Sequence, residues 1–263
     1  MTLLEADEPA AFRVERPQGK SHYFLTCDHA GARVPRKLGS LGVSAEDLGR
    51  HIAWDIGAAG VTAKLADVLD AFAILQTYSR LVIDCNRRPG IADSIVRVSE
   101  ATRIPGNEVV TVEDAAARER EIFRPYHDRI RTELDTRRAQ QRPTVLISVH
   151  SFTPRFHDFQ RPWHAGVLYN RDARLAKELL RHLREESALV IGDNEPYSVG
   201  DTTDYTIPVH GEQRGLLHVG IELRQDLVAT GTGQTEWAER LARALVSIAD
   251  SGDSRCKLNS VTS

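Results

Sequence analysis

The chain has 263 residues, 41% hydrophobic and 27% charged, with a formal net charge of −3 at pH 7. That length can bury a real core as a single α/β domain. The charge balance argues against a nucleic-acid partner, and no apolar run approaches membrane-spanning length, so no membrane partner is expected. Cys27, Cys85 and Cys256 form an odd set without a CxxC pair. This argues against a disulfide framework and for a reducing, cytoplasmic setting. The first residues lack a basic region followed by an apolar core, so they do not read as a signal peptide.

Residues 1–20 are polar, contain proline and read as an irregular arm. Residues 22–28 read as the first strand, which Gly31 and Pro35 keep from continuing. Ser44-Ala45-Glu46-Asp47 is a capping box that opens a helical region to about residue 58, weakened by Gly57. A second helix is predicted over 60–70. Ala71 to Leu75 and Arg80 to Asp84 read as short strands, the latter stopped by Asn86-Arg87-Arg88-Pro89-Gly90. Residues 91–110 read as irregular, with a turn at Pro105-Gly106-Asn107. Thr111-Val112-Glu113-Asp114 is a second capping box. The long charged helix after it, to about Gln141, carries Ile122, Tyr126, Ile130 and Leu134 on one face.

Pro143 to His150 is the strongest strand in the chain. Ala165 to Tyr169 is a further strand, Asp172 to Glu186 a helix and Ala188 to Ile191 a strand. Residues 192–215 form a polar loop long enough to suggest function. Leu216 to Arg224 is a buried strand, Thr235 to Asp250 the last helix, and residues 251–263 a loose tail. Strands and helices alternate without repeats or a linker. The prediction is one domain over 1–263, a three-layer α/β sandwich with a central mixed sheet and helices on both faces.

Asp28 and His29 stand where the first strand gives way to a loop, the edge of an α/β sheet where ligands and metals collect. His150 ends the strongest strand in the same way. Two imidazoles at strand ends of one sheet can converge on one metal ion, and a hydrolytic zinc site takes three nitrogen or oxygen ligands. His29 can equally cap its loop by hydrogen bonding. His22, His127, His157, His164, His182 and His218 read as surface or internally satisfied histidines. The acids nearest His29 in sequence are Asp28, Glu46, Asp47 and Asp55. His51 and Asp55 have helical i, i+4 spacing and would face the same way, as metal ligands or as a surface pair.

Glu222 is an acid inside an apolar strand, costly unless paired. It reads either as a general acid/base with a raised pKa or as the partner of an arginine such as Arg80 or Arg87. Asn86-Arg87, with Arg88, end another predicted strand, where a guanidinium would grip a carboxylate through two parallel hydrogen bonds.

Taken together, Asp28-His29-Ala30-Gly31, Ser79-Arg80-Leu81-Val82-Ile83-Asp84-Cys85-Asn86-Arg87 and Val149-His150-Ser151-Phe152-Thr153-Pro154 resemble the N-formylglutamate amidohydrolase family. The likeness covers most of residues 20–245, and that family is similar in plan to zinc carboxypeptidases and aspartoacylases. The resemblance implies a zinc-carboxypeptidase-like fold and one divalent metal, with zinc the expected ion. It implies His29 and His150 as ligands, Asn86 and Arg87 on a substrate carboxylate, and Glu222 as catalytic acid/base. The carboxypeptidase pattern puts a ligand Glu three residues after the first His, where this chain has Ala32. Asp55 is taken as the second ligand, with His51 and Asp28 as competitors.

Arg80 is assigned with Glu222 to the reacting centre, to stabilise an oxyanion. Tyr205, in the polar loop, is expected to hydrogen-bond the substrate, and His210 and Arg214 to recognise an acidic side chain. The expected reaction is hydrolysis of the linear amide of a small carboxylate-bearing N-acyl amino acid, N-formyl-L-glutamate first among them. Another N-acyl amino acid or a short peptide is the alternative substrate. A binding protein without turnover is the alternative of a different class.

Overall fold

Apolar residues alternate along the strand-forming runs and divide between two cores. Tyr23, Leu25 and Cys27, then Ala73 and Leu75, then Val145, Ile147 and Val149, then Val219, Ile221 and Leu223, join one cluster. Phe24, Phe72, Ile74 and Leu146 join the other. A period of two with both sets buried is the mark of a sheet covered on both faces. The computed structural model describes residues 2–250 and shows that sheet. The tail expected over 251–263, with Cys256, lies outside the described residues.

The strands are β1 (Phe12–Glu15), β2 (Tyr23–Cys27), β3 (Phe72–Gln76), β4 (Val145–Phe152), β5 (Ala165–Leu168), β6 (Ile191–Asp193) and β7 (Leu217–Arg224). Their order is β1-β3-β2-β4-β7-β5-β6. β3, β2, β4 and β7 are parallel neighbours, whereas β1 and β5 run antiparallel to β3 and β7. The sheet is therefore mixed. Helices α1 (Ala58–Leu69), α3 (Arg174–Arg184) and α4 (Gly231–Asp250) bring Leu65, Leu179 and Leu241 to the first core. Helix α2 (Arg124–Ala139) brings Tyr126, Ile130 and Leu134 to the second. Each fully buried Leu or Ile contributes about 1.5–3 kcal/mol relative to exposure. The architecture is the expected three-layer α/β sandwich.

Several local expectations are corrected. The first twenty residues are not wholly irregular, because Phe12 and Val14 pack on the second core and the strand pairs with β3 from Phe12↔Gln76 onward. Arg80 to Asp84 is not a strand. Its backbone groups bond to side chains and turns instead of a ladder: Asn107 donates to Leu81 O, Arg118 to Val82 O, and Asp84 N donates to Ser94 O. The helix capped by Ser44 lasts one turn, Ala45–Leu48, and residues 49–57 are a series of turns. The predicted strand at 188–191 begins only at Ile191. The second capping box forms as read, with Thr111 Oγ1 accepting from Asp114 N.

Helix α2 buries an imidazole, His127, against a second one, His210, in the turn Ile207–Gly211. His127 Nε2 donates to Cys85 O at 2.7 Å, and its Nδ1 lies 3.0 Å from His210 Nε2. Burial lowers His127 to about 4 and holds His210 well below its ordinary value. Both are therefore neutral, His127 Nδ1 accepts, and His210 Nε2 donates.

Gly57 has φ +82, and a Cβ there would lie 2.2 Å from Val228 O. Gly57→Ala is expected to cost more than about 1 kcal/mol in urea unfolding, because it adds strain and a backbone clash at one position. The His127 shift gives a pH dependence. A folded-state pKa below the unfolded one means that the unfolded chain binds more protons, so stability present above about pH 6.5 is lost as pH falls toward 4. For His127 alone the loss is about 3 kcal/mol. His127→Gln keeps a donor and an acceptor without titrating, and should flatten this part of the acid-unfolding curve.

Candidate active site

The C-terminal ends of the parallel strands open onto a cavity of about 670 Å³, a size that suits a small ligand. Its walls include His29, Asp55, Arg80, Asn86, Arg87, His150 and Glu222. His29 lies just beyond the end of β2. Asp55 comes from the turns after the one-turn helix, and its N–H donates to His29 O at 2.9 Å, which ties the two residues together through the backbone. His150 and Glu222 are register partners on neighbouring β4 and β7. Val149 and Ile221 pack into the first core, so alternation sends His150 and Glu222 to the opposite face.

His29, Asp55 and His150 each place one donor atom within 4.8 Å of the others, and all three are buried. Asp55 Oδ2 lies 3.4 Å from His29 Nδ1 and 3.1 Å from His150 Nδ1. The outer nitrogens have their own partners. His29 Nε2 meets Asp84 Oδ1 at 2.7 Å, and His150 Nε2 meets Ser148 Oγ at 3.0 Å and Asp28 Oδ2 at 3.4 Å. An Nε2–H that donates outward leaves the Nδ1 lone pair facing Asp55, the arrangement by which outer carboxylates orient metal-ligating histidines. Among the described residues, the buried His29 Nδ1 has no hydrogen-bond partner. That orphaned acceptor, a second imidazole nitrogen and a carboxylate oxygen are a donor set that a divalent ion fits.

The electrostatics agree with a cation-seeking cluster. Burial opposes ionisation of Asp55, but His29 and His150 outweigh it and hold the carboxyl well below the usual range. Burial likewise opposes ionisation of Asp84, and Arg80 and His29 outweigh it. Burial pulls both histidines down, yet the surrounding aspartates carry both above their ordinary value. Burial lifts the Glu222 carboxyl to about 7, against the pull of His150 and with the push of Asp55. Its buried Oε2 has no hydrogen-bond partner among the described residues.

Arg80 binds Asp84 through Nε and Nη2, at 3.1 and 2.7 Å, and its Nη1 is 3.6 Å from Asp55 Oδ1. It remains partly exposed to the cavity. Arg87 also lines the cavity, with Nη1 donating to Asn86 O. Asn86 clamps the polar loop: its Oδ1 accepts from Tyr205 N and Thr206 N, and its Nδ2 donates to Asp204. One Asn86 N–H is left for a ligand.

The other sequence candidates do not join the three convergent donors. Asp28 sits behind the histidines, accepting from Tyr126 Oη and Thr206 Oγ1. His51 lines the cavity but turns to Glu100 at 2.9 Å, because residues 49–57 are turns and i, i+4 spacing no longer aligns it with Asp55. Tyr205, His210 and Arg214, expected at the substrate, are not among the cavity walls. The Tyr205 ring packs on Phe123 and His127, His210 is stacked on His127, and Arg214 pairs with Asp135 of α2. The turn at Ile207–Gly211 carries these residues toward the helix layer instead.

Asp84 and Ser148, the outer partners of the histidines, are not among the sequence candidates. Asp84 carries the same signal as Glu222, an acid in an apolar run. Tyr197, Gln225 and Asn194 also line the cavity, and nothing in their local pattern marks them. Among the described residues no helix is long and apolar enough to cross a membrane.

Known proteins share this arrangement of the chain. A gene product of Agrobacterium tumefaciens of solved structure is 37% identical, superposes with a TM-score of 0.89, and covers 94% of this chain and 99% of its own. An N-formylglutamate amidohydrolase from Ralstonia eutropha is 19% identical with a TM-score of 0.70, covering 92% and 98%, and shares the fold. No curated protein matches the chain. The family model for N-formylglutamate amidohydrolase matches residues 21–229, a span that holds every residue lining the cavity. The chain belongs to the N-formylglutamate amidohydrolase family, a family of hydrolases.

Proposed function

We propose that the protein hydrolyses the linear amide of an N-acyl acidic amino acid, with N-formyl-L-glutamate the leading substrate and a divalent metal, zinc first, as cofactor. The observation that carries this reading is Glu222, with a carboxyl near neutrality, placed across from His150 in the cavity that holds the three convergent donors. His29, Asp55 and His150 would hold the ion, which when bound supplies Lewis-acid polarisation of the amide carbonyl and a more acidic water. Glu222 takes a proton from the attacking water at Oε2, and the water oxygen bonds to the acyl carbon. Arg80, fixed by Asp84, stabilises the charge that develops on the carbonyl oxygen. Glu222 then returns the proton to the nitrogen as the C–N bond breaks, giving formate and glutamate. Arg87 holds a substrate carboxylate, and the free N–H of Asn86 assists it.

Glu222→Gln is expected to keep the metal but lose on the order of 10²–10⁴-fold in formate release. Near-normal turnover by that variant would remove Glu222 from the mechanism. Metal analysis should find about one divalent ion per chain, chelation should abolish activity, and His150→Ala should bind none under the same conditions. Arg87→Lys should raise KM more than it lowers kcat, since Lys cannot reproduce a two-bond grip. A panel of N-acyl glutamates and aspartates, compared by kcat/KM, identifies the acyl group and the side chain.

A further inference from the structure

Beside the cavity lies a buried cation, Arg161, with no acid bound to it among the described residues. Arg161 is only 4% exposed, and its hydrogen bonds go to Thr153 O at 3.3 Å and Tyr197 Oη at 2.9 Å. Among the described residues it forms no ion pair. Three rings hold the guanidinium instead, with Phe152, Phe156 and Tyr197 centroids 5.6, 4.8 and 4.9 Å away. A buried charge without an acid is costly, and cation–π contacts offset part of that cost. Thr153 and Tyr197, the two residues it binds, are cavity walls.

The direction of the Tyr197 hydroxyl depends on this contact. Its oxygen accepts from Arg161, so its own proton cannot point at the guanidinium. Tyr197 shares the cavity with Arg80 and Glu222 and feels the charge of both. Tyr197 is 43% exposed, yet desolvation around its hydroxyl raises the phenol above its ordinary value, so it is a proton-bearing donor at neutral pH.

The loop that carries Tyr197 is seated on the strands beside Glu222. A Cβ at Gly166 would lie 2.1 Å from Glu195 O and 3.4 Å from Glu222 Cβ, and one at Gly192 would lie 2.5 Å from Glu195 O. Asn194 N donates to Val167 O at 3.0 Å, and Asn194 Oδ1 accepts from Tyr169 N at 2.9 Å. Two glycines thus allow the loop backbone to lie directly on β5 and β6, next to the catalytic carboxylate.

We infer that Tyr197 donates a hydrogen bond to the carbonyl oxygen of the scissile amide as that oxygen gains charge, and that Arg161 is the positioning residue that aims and polarises the phenol. This rests on the amide-hydrolase function proposed for the same cavity. Tyr197 is a second donor beside Arg80, and its worth lies in the transition state because the guanidinium behind it favours negative charge in front of it.

Steady-state kinetics of the full-length, zinc-loaded protein with N-formyl-L-glutamate provide the test. Tyr197→Phe should lower kcat on the order of 10–100-fold with little change in KM. Arg161→Lys and Arg161→Gln should lower kcat less, and their effect should vanish in the Tyr197→Phe background, since they act through that hydroxyl. Melting curves identify an Arg161 variant that fails to fold, and the Lys variant then carries the comparison. Unchanged kcat in Tyr197→Phe, a loss confined to KM, or an Arg161 effect that adds to that of Tyr197→Phe would each overturn the inference while leaving the hydrolase function intact. A wild-type protein that hydrolyses no N-acyl acidic amino acid overturns that function and this inference with it.

Discussion

Asp55 is the anion that allows two buried histidines to stand side by side. Its Oδ2 faces the Nδ1 atoms of His29 and His150, and its backbone N–H is bonded to His29 O. The same oxygen also accepts from Ser151 N at 3.2 Å, so the carboxylate is bound to both strand ends. Removing it would leave two imidazoles 5.1 Å apart between centroids, with no group to order their inner nitrogens.

The ring of acids around this centre sets its chemistry. Asp28, Asp55 and Asp84 are all held in the charged form, and Arg80 is the one arginine bound to them among the described residues. With neutral histidines the cluster has a negative surplus in a low-dielectric site, where charge is expensive to leave unmatched. A proton on each imidazole or one divalent ion answers that surplus. The raised histidine pKa values express the first answer, and the geometry of the three donors permits the second. Glu222 stands just outside the cluster, where burial and the nearby Asp55 keep its proton within reach of neutral pH. One environment thus holds three carboxylates ionised and poises the fourth, a separation of acid strengths suited to proton transfer.

Loops complete the site because the sheet alone brings only His150 and Glu222 together. Arg118 and Asn107, both buried, hold the backbone of residues 81–82 and bring Arg80, Asp84 and Arg87 to the cavity. Asn86 ties that segment to residues 204–206, and Gly166 and Gly192 seat the loop that carries Tyr197. Asn107, Arg118 and Asn86 satisfy backbone groups that have no ladder partner, and the two glycines give the loop backbone room to pack on the strands. That is how irregular segments can be ordered at the edge of a packed core.

The elements most legible in the sequence were those whose signal is local. The β4 and β7 runs, the Thr111 cap and the apolar face of α2 follow from alternation, capping and helical period, which neighbouring residues express among themselves. The same local logic marked His29, His150 and Glu222 as polar residues at or in apolar strands. The misread elements were those stabilised by distant groups. Arg80 to Asp84 has strand composition, but the partners of its backbone are Asn107, Arg118 and Ser94. His51 and Asp55 have helical spacing, but their segment is a series of turns in which Asp55 N bonds to His29 O instead of to a helical carbonyl. Tyr205 and His210 belong to the polar loop as expected, yet the turn at Ile207–Gly211 packs them on α2, and Tyr197 stands at the cavity in their place. The sequence by itself determined a two-face sheet with chemistry-bearing residues at its strand ends, since side-chain period and hydrophobicity are properties of adjacent residues. Only the tertiary structure decided that Asp55 joins the two histidines, that Asp84 and Asp28 stand behind them, and which loop residues reach the cavity, since those placements depend on hydrogen bonds between segments far apart in the chain.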